Sequence, residues 1–269
     1  MKNKVVLITG GSSGIGLAIG TFLSGKGYIV YGTSRNPEKN KEFSAFKLLK
    51  LDVRDQASIT AATAQLLEME GRLDVLINNA GVGITGPIEE TPGHEIRKAF
   101  DTNLHGPLSM INAVLPIMRR QGNGQIINIT SIAGYMGLPY RAYYSASKGA
   151  LELMTEALRM EVKDFNIQCT SLAPGDFATN IAAGRYHAPI SEQSPYKDAY
   201  SNTLKLMDQH VDAGQDPIRV AEKVYQIIQS KRPKVHYRVG SPLQKFSLVL
   251  KKLLPDQLYE RLLINHYKL

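Results

Sequence analysis

Residues 5–16 read Val5-Val6-Leu7-Ile8-Thr9-Gly10-Gly11-Ser12-Ser13-Gly14-Ile15-Gly16, an apolar run that leads into a glycine-rich segment. A continuous apolar run is typical of a strand covered on both faces, and residues 14–26 then have a helical pattern. Glycine is needed where the backbone turns tightly and approaches a phosphate, and a helix N-terminus adds N–H groups. The spacing G-x-x-x-G-x-G differs from the common pattern G-x-G-x-x-G. An ordinary strand–helix turn is therefore the alternative to a phosphate-binding turn.

The rest of the chain continues this alternation of short strands and longer helices. The strand candidates are Val5–Thr9, Tyr28–Thr33, Phe46–Leu51, Val75–Asn78, Gln125–Thr130, Ile167–Ala173 and His236–Val239, and the helical segments are 14–26, 56–70, 93–121, 144–164 and 217–230. This pattern predicts an α/β fold with a single Rossmann-type doubly wound parallel sheet of about seven strands and helices on both faces. We predict one domain over residues 1–241, with a substrate loop at about 175–216, and a C-terminal helical extension over 242–269.

Composition and charge restrict the classes of function. The 269 residues are 43% apolar and 21% charged, which is ordinary for a soluble globular protein. A single cysteine, Cys169, predicts a buried thiol and a reducing cytoplasm. The apolar run at the start is too short for a signal peptide, and no stretch reaches the 18 residues of a spanning helix.

The net charge of +8 is concentrated at the C-terminus, where Lys231 to Leu269 contain nine Lys or Arg and two acids. A basic tail on a nearly neutral domain does not favour nucleic-acid binding. Within 242–269, apolar residues recur at helical spacing, namely Phe246, Val249, Leu250, Leu253 and Leu254. Two interpretations stay open: a weak peripheral membrane contact, or a helix that covers the domain or an oligomer interface.

The end of the second predicted strand bears on cofactor choice. Ser34-Arg35-Asn36 follow it, and no acidic residue occurs between Tyr28 and Pro37. An acid near this point binds the ribose 2′-hydroxyl of NAD, whereas an arginine suits the 2′-phosphate of NADP. The pattern favours NADP(H) over NAD(H), with Ser34 and Arg35 at the phosphate. The alternative is a solvated loop arginine.

Tyr144 and Lys148 are four residues apart at the start of a predicted helix, so they share one face. A tyrosine hydroxyl is a weak base at neutral pH, and a fixed ammonium nearby favours its phenolate. Tyr140 and Tyr143 have no lysine at this spacing. One such pair alone could be a surface helix contact.

Several motifs together resemble the classical short-chain dehydrogenase/reductase family over about residues 3–240. They are Thr9-Gly10-x-x-x-Gly14-x-Gly16, Asn78-Asn79-Ala80-Gly81, Asn103-Leu104-x-Gly106, Ser131 after Asn128-Ile129-Thr130, Tyr144-x-x-x-Lys148, and Pro174-Gly175. They stand in family order and at family separations. Residues 32–36 and the C-terminal extension are most similar to the 17β-hydroxysteroid and retinol dehydrogenase branch.

The resemblance implies roles for individual residues. Tyr144 would be the general acid/base, Ser131 would orient the substrate oxygen, Lys148 would bind the nicotinamide ribose, and Asn103 would hold a water of a proton relay. The implied cofactor-binding residues are Thr9, Gly10, Ser12, Ser13, Gly14, Ile15, Gly16, Ser34, Arg35, Asp52, Val53, Asn79, Ala80, Gly81, Tyr144, Lys148, Pro174, Gly175 and Thr179.

The resemblance also implies an activity, an NADP(H)-dependent oxidoreductase that interconverts a ketone or aldehyde and an alcohol. The apolar and tyrosine-rich segment 175–216 indicates an apolar pocket with a few polar groups. The similarity to the 17β-hydroxysteroid and retinol dehydrogenase branch implies a lipophilic substrate that is steroid-, retinoid- or lipid-like. A 3-oxoacyl or sphingoid ketone and a generic xenobiotic carbonyl stay open as alternatives. No metal is expected, because the six histidines lack ligand spacing and look like surface or loop residues. A homo-oligomer, a dimer or tetramer, is expected. The alternative is a non-catalytic NADP-binding sensor or scaffold on the same fold.

Overall fold

The computed structural model describes residues 3–39, 43–177, 184–212 and 214–269. Its centre is a parallel sheet of seven strands in the order β3-β2-β1-β4-β6-β7-β9. The strands are β1 Val5–Ile8, β2 Ile29–Ser34, β3 Lys47–Lys50, β4 Val75–Asn78, β6 Gly124–Ile129, β7 Ile167–Pro174 and β9 His236–Val239. All seven were predicted, with boundaries within one residue. A separate parallel pair, β5 Ile84–Thr85 and β8 Tyr186–His187, was not predicted.

Helices cover both faces of the sheet, as predicted. They are α1 Gly14–Gly25, α2 Gln56–Glu70, α3 Gly93–Phe100, α4 Gly106–Gln121, α5 Ala142–Glu161, α6 Lys197–Asp212, α7 Ile218–Gln229, α8 Pro242–Leu253 and α9 Asp256–Tyr267. A π-helical turn, Asp101–His105, joins α3 to α4, so residues 93–121 are helical throughout. The α6 helix lies in the segment that the sequence indicated only as a substrate loop.

Strand β1 shows why the sequence encodes a sheet covered on both sides. Successive side chains of a strand point to opposite faces. Val5 and Leu7 join one core with Leu66 of α2, and Val6 and Ile8 join a second core with Ile19 of α1. Cys169 is buried in β7, and burial raises the pKa of its thiol to about 12, which suits a filler of the core.

The predicted site residues follow the strands at the carboxyl edge of the sheet. In open α/β sheets, ligands bind at this edge, where neighbouring strands lead away in opposite directions. Here the β1 strand pairs with β2 on one side and β4 on the other. The turns after β1 and β4 therefore face one crevice, and the chain that follows β6 lies beside the turn after β4.

The C-terminal segment forms two helices that pack against the domain. Ser241 accepts a hydrogen bond from the Gln244 backbone, and the Gln244 side chain bonds back to the Ser241 N–H, so a capping box starts α8. Leu248 of α8 and Tyr259 of α9 pack on the short 3-10 turn Ile132–Tyr135 and its neighbours. Within the described ranges, no helix is both long and apolar enough to cross a bilayer.

Candidate active site

The turn after β1 depends on glycine at four positions. Gly10 and Gly14 have positive φ angles of +64° and +52°, which residues with a side chain rarely adopt. A Cβ on Gly11 would lie 2.7 Å from the Cα of Gly32, and one on Gly16 would lie 2.3 Å from the Gly10 carbonyl oxygen. The turn therefore packs directly on β2 and closes on the first turn of α1.

Thr9 and Asn79 lock this turn to the one after β4. The Thr9 hydroxyl oxygen accepts hydrogen bonds from the backbone N–H groups of Asn79 and Ala80, both at 3.0 Å. The Asn79 side-chain amide donates to the carbonyls of Thr9 and Gly10, at 3.0 and 3.1 Å. These bonds join residues 69 to 71 positions apart and fix the two walls of the crevice relative to each other.

The start of α1 has the donors that a pyrophosphate requires. The first N–H groups of any helix have no partner within the helix, and they carry the positive end of its dipole. Among the described side chains, Ser13 makes no capping bond to them, although it occupies the N-cap position. With the glycine turn, this leaves the backbone N–H groups near Ile15 and Gly16 as anion donors, so the residues present fit a dinucleotide cofactor.

The ends of β2 and β3 carry a cluster of one acid and two arginines. Arg54 donates to Asp52 through Nε at 3.1 Å and Nη2 at 2.7 Å. The adjacent Arg54 guanidinium, with a further contribution from Arg35, holds the pKa of Asp52 below its usual range. Because Arg54 already pairs with Asp52, Arg35 adds net positive charge. The sequence analysis missed Arg54, although its position two residues after Asp52 was the signal.

Some of the predicted cofactor-binding residues contact other parts of the chain. The Val53 side chain is buried against Gly106 of α4, so its role there is packing. Pro174 ends β7, and the Gly175 N–H donates to the Val239 carbonyl. The Gln244 side chain occupies the space where a Gly175 Cβ would lie. Thr179 lies outside the described residues.

Lys148 is a buried residue of α5, one helical turn after the partly exposed Tyr144. Its side chain is 4% exposed, and its Nζ donates to the Ile129 carbonyl at 3.0 Å. Burial lowers the pKa of Lys148 to about 8, and the negative charge of Glu152 opposes that change. A Cβ on Gly81 would lie 3.3 Å from Nζ, so glycine leaves room for the ammonium beside the turn after β4.

Tyr144 differs from the tyrosine before it in what its side chain contacts. The Arg141 guanidinium lies over the Tyr144 ring, 5.6 Å from its centroid. The Tyr143 hydroxyl instead donates to the Ile88 carbonyl at 3.0 Å. Tyr144 is thus the one of the two that shares a helix face with the lysine.

Asn103 lies in the π-helical turn and is fully buried. Its Oδ1 accepts from the Val82 N–H at 2.8 Å, and its Nδ2 donates to the Val82 carbonyl at 2.9 Å and to Ser147 Oγ at 3.2 Å. The side chain therefore joins the turn after β4 to α5. Single π-turns occur frequently at functional sites, because they re-aim one residue of a helix.

Ser131 follows β6 and caps the 3-10 turn Ile132–Tyr135. Its Oγ accepts from the Ala133 N–H at 3.2 Å, and the hydroxyl proton can still be donated to another group. Two residues earlier, Ile129 supplies the carbonyl that accepts from Lys148. The end of β6 therefore positions both the serine and the lysine.

A buried polar cluster beneath these residues was not predicted. The Glu152 carboxylate, one turn after Lys148, accepts from the hydroxyls of Thr130 and Ser171. His236 contacts it through Nδ1 at 2.9 Å and reaches Glu156 through Nε2 at 3.0 Å. The expectation that every histidine is a surface or loop residue is thus wrong for His236, which lies on β9. The spacing of Glu152 from Lys148 was the available signal.

Several known proteins are similar to this chain in sequence and in fold. The chain matches the short chain dehydrogenase family over residues 4–189. It is 39% identical over 261 residues to the 3-ketodihydrosphingosine reductase of Bacteroides thetaiotaomicron, covering 97% of this chain and 96% of that protein. A short-chain dehydrogenase of Streptomyces avermitilis superimposes with a TM-score of 0.82 at 30% identity, covering 100% and 97% of the two chains.

Solved neighbours have been determined with either nicotinamide dinucleotide. ElxO, with NADP bound, has a TM-score of 0.72 at 29% identity and covers 89% of this chain and 96% of its own. A Burkholderia phymatum family member in complex with NAD has a TM-score of 0.80 at 24% identity, covering 93% of both chains. The fold binds NAD(P), and the matched sequence extends through Ser131, Tyr144 and Lys148. This chain belongs to the short-chain dehydrogenase/reductase family and is an oxidoreductase.

Proposed function

We propose that this protein is a cytoplasmic NADP(H)-dependent oxidoreductase that interconverts a lipophilic ketone or aldehyde and its alcohol. The observation that carries the proposal is the relation of α5 to the end of β6. Tyr144 and Lys148 share a face of α5, and the buried Lys148 ammonium bonds to Ile129, two residues before Ser131. In the proposed site, the Tyr144 phenol, the Ser131 hydroxyl and the Lys148 ammonium act together beside the crevice that the glycine turn opens.

The residues around the crevice would manage the proton of the reaction. When bound, the nicotinamide supplies or accepts the hydride. In reduction, the Tyr144 hydroxyl donates its proton to the substrate oxygen, and the Ser131 hydroxyl donates a hydrogen bond to the same atom. The Lys148 ammonium favours the phenolate that remains on Tyr144. Asn103 holds Val82, and with it the turn after β4, against α5.

Residues of this chain would also select the cofactor. The glycine turn and the start of α1 would hold the pyrophosphate, and Asn79, Ala80 and Gly81 would line a ribose. Arg35, with Ser34, would bind the 2′-phosphate of NADP, and Arg54 supports this by neutralising Asp52. This arrangement supports NADP(H) over NAD(H).

A lipophilic substrate is supported by a cleft beside the start of α5, where Tyr143 contacts Ile88. A cleft of about 480 Å³ is lined by Pro87, Ile88, Glu89, Pro139, Tyr140, Tyr196 and Leu269. Apolar and aromatic lining with few polar groups suits a lipid-like molecule. The similar Bacteroides protein is a 3-ketodihydrosphingosine reductase, so a long-chain ketone is the first substrate to test.

The test is the loss of NADPH absorbance with a panel of carbonyl compounds. The panel contains 3-ketodihydrosphingosine, a 17-ketosteroid, retinal and, as a water-soluble control, acetone. We expect turnover of at least one lipophilic compound with kcat/KM well above that for acetone. Turnover of the small ketone alone would contradict the proposed substrate class. Binding of NADPH with no turnover of any compound would instead favour the sensor or scaffold.

We further propose that the protein is a homo-oligomer that associates through α5. Leu153, Met154 and Met160 are exposed apolar side chains on that helix. An apolar helix face on a soluble domain is typical of a subunit interface. Light scattering should give the mass of a dimer or tetramer, and a monomeric mass at micromolar concentration would contradict the proposal.

Replacement of Glu152 by glutamine should shift the pH dependence of the reaction. Burial already lowers the pKa of Lys148 to about 8, and Glu152 raises it against burial. Without that negative charge, the Lys148 pKa should fall further, so the ammonium loses its proton at lower pH. The high-pH limb of kcat/KM for carbonyl reduction should therefore move to lower pH.

The control is Glu161→Gln, which makes the same change at an exposed position on α5. It should leave the limb in place. Thermal denaturation monitors folding of both variants. If Glu152→Gln lost stability but kept the limb where it is in the unchanged protein, Glu152 would have only a structural role.

A further inference from the structure

Helix α8 presents an apolar stripe to solvent. Leu243, Phe246, Val249 and Leu253 are 72%, 53%, 43% and 75% exposed. Their spacing places them on one face of the helix. On the opposite face, Leu248 is buried against Ile132, Met136 and Ala173. Packing on the domain therefore accounts for one face of α8 and leaves the other uncovered in a single copy of the chain.

Basic residues border this stripe on both sides. At 100° per residue, Lys245 and Lys252 project beside one edge of the stripe and Lys251 beside the other. Lys251 pairs with Asp256 at 2.9 Å, and Lys245 and Lys252 are exposed. Nine basic and two acidic residues lie between Lys231 and Leu269. An apolar stripe flanked by cations is the pattern of a helix that lies in a membrane interface.

Helix α9 also has an exposed face with apolar and basic residues. Leu258 and Leu262 are exposed one turn apart, and the exposed Arg261 lies beside them. Tyr259 and Tyr267 are buried on the side that faces the domain. Both C-terminal helices thus use one face for packing and offer the other, apolar and basic, to a partner.

The charge distinguishes between the possible occupants. If a second copy covered the stripe, it would bring its own Lys245 and Lys252 close to Lys245 and Lys252 of the first copy, and like charges in contact are unfavourable. An anionic bilayer surface matches both parts of the pattern, because its interior takes the apolar side chains and its headgroups attract the lysines.

The end of the C-terminal segment lies beside the start of α5, where the Tyr143 hydroxyl donates to the Ile88 carbonyl. Leu269 lines the cleft together with Ile88, Tyr140 and Tyr196. Tyr259 of α9 donates to the Met136 sulfur at 3.0 Å, five residues after Ser131. The segment that carries the stripe therefore also contacts the cleft and the chain that follows Ser131.

We infer that the apolar stripe of α8, with its flanking lysines, docks the enzyme on an anionic lipid surface beside the cleft. This inference deepens the proposed function, because a lipophilic substrate could then enter from the bilayer. Docking itself needs no turnover, so it can be tested separately from the reaction.

The test is co-sedimentation of the full chain with vesicles, without substrate. One set contains phosphatidylcholine and phosphatidylglycerol in equal amounts, and the other contains phosphatidylcholine alone. We expect binding to the anionic vesicles that is at least about tenfold tighter and that weakens with added salt.

The stripe variant is Leu243→Glu with Leu253→Glu, at two largely exposed positions where folding should tolerate the change. The control is Met69→Glu with Phe165→Glu. It adds the same charge at two exposed apolar positions that precede strands β4 and β7, near the amino ends of the strands. The stripe variant should lose about tenfold or more in anionic-vesicle affinity, and the control should bind like the unchanged protein.

Several results would overturn the inference. They are the absence of sedimentation with anionic vesicles, equal binding by the stripe variant, and a stripe variant that changes only the oligomeric mass. The last would assign the stripe to a second copy. Turnover of a water-soluble carbonyl should be the same in both variants and in the unchanged protein, so failure of the proposed function would show in that assay and not in sedimentation.

Discussion

Tyr144→Phe should lower kcat by about 10³- to 10⁴-fold, the upper part of the range for loss of a general acid/base. The change removes one oxygen and leaves the ring beside Arg141. The glycine turn, the start of α1 and Lys148 stay in place, so NADPH should bind with nearly unchanged affinity. Single-turnover absorbance gives the rate, and NADPH fluorescence titration gives the dissociation constant.

The adjacent Tyr143→Phe is the matched control for this variant. It removes the same atom one residue earlier, where the hydroxyl donates to the Ile88 carbonyl at 3.0 Å. One partly exposed hydrogen bond contributes about 1 kcal/mol to stability, so most of the activity should remain. A Tyr144→Phe enzyme that turned over at the unchanged rate would remove the acid/base assignment.

Arg35→Asp should reverse the cofactor preference. A hydrogen bond to a charged group contributes about 1.5–3 kcal/mol, and a carboxylate facing the 2′-phosphate adds repulsion. The ratio of kcat/KM for NADPH to that for NADH should fall by about 10²-fold or more, since each 1.4 kcal/mol is tenfold. Most of the change should be a loss with NADPH, because its 2′-phosphate loses the arginine and faces a carboxylate. The value for NADH should be kept or raised, because the new carboxylate can accept a bond from its 2′-hydroxyl.

Lys39→Asp controls for the general loss of positive charge near this site. Lys39 is exposed at the end of the short turn Pro37–Lys39, four residues from Arg35. This variant should change the ratio of kcat/KM for NADPH to that for NADH only slightly. Added salt should reduce that small change, because it screens charges exposed to solvent. If the unchanged protein preferred NADH, or if Arg35→Asp left the ratio unchanged, the assignment of NADP(H) would be wrong.

The local pattern of apolar residues was sufficient to predict the seven strands of the central sheet. Strands such as β1 and β4 are short apolar runs that can be buried on both faces, and the helices between them have the length that parallel strands require. The π-helical turn was not visible in the pattern, because residues 93–121 have an unbroken helical appearance. The pair β5–β8 was missed because two-residue strands have no periodicity, and their partners are about 100 residues apart.

Some features of the candidate site could likewise be predicted from the sequence, and others could not. The glycine turn, the Tyr144–Lys148 spacing and Ser131 could be selected from the sequence, because each depends on neighbouring residues or on a recognisable motif. The Thr9–Asn79 lock joins distant parts of the chain, and so does the contact of Glu152 with His236, 84 residues further on. Nothing near either residue indicates its partner.

The α/β fold, the order of its elements and the residues at the carboxyl edge of the sheet could be predicted without coordinates, because local spacing encodes them. Three features became visible only in the folded chain: the burial of Lys148 one turn from Glu152, the contact of His236 with two glutamates, and the orientation of α8, with Leu248 buried and Leu253 exposed. Burial and contact depend on which distant segments meet, and that information lies in packing rather than in any single stretch of sequence.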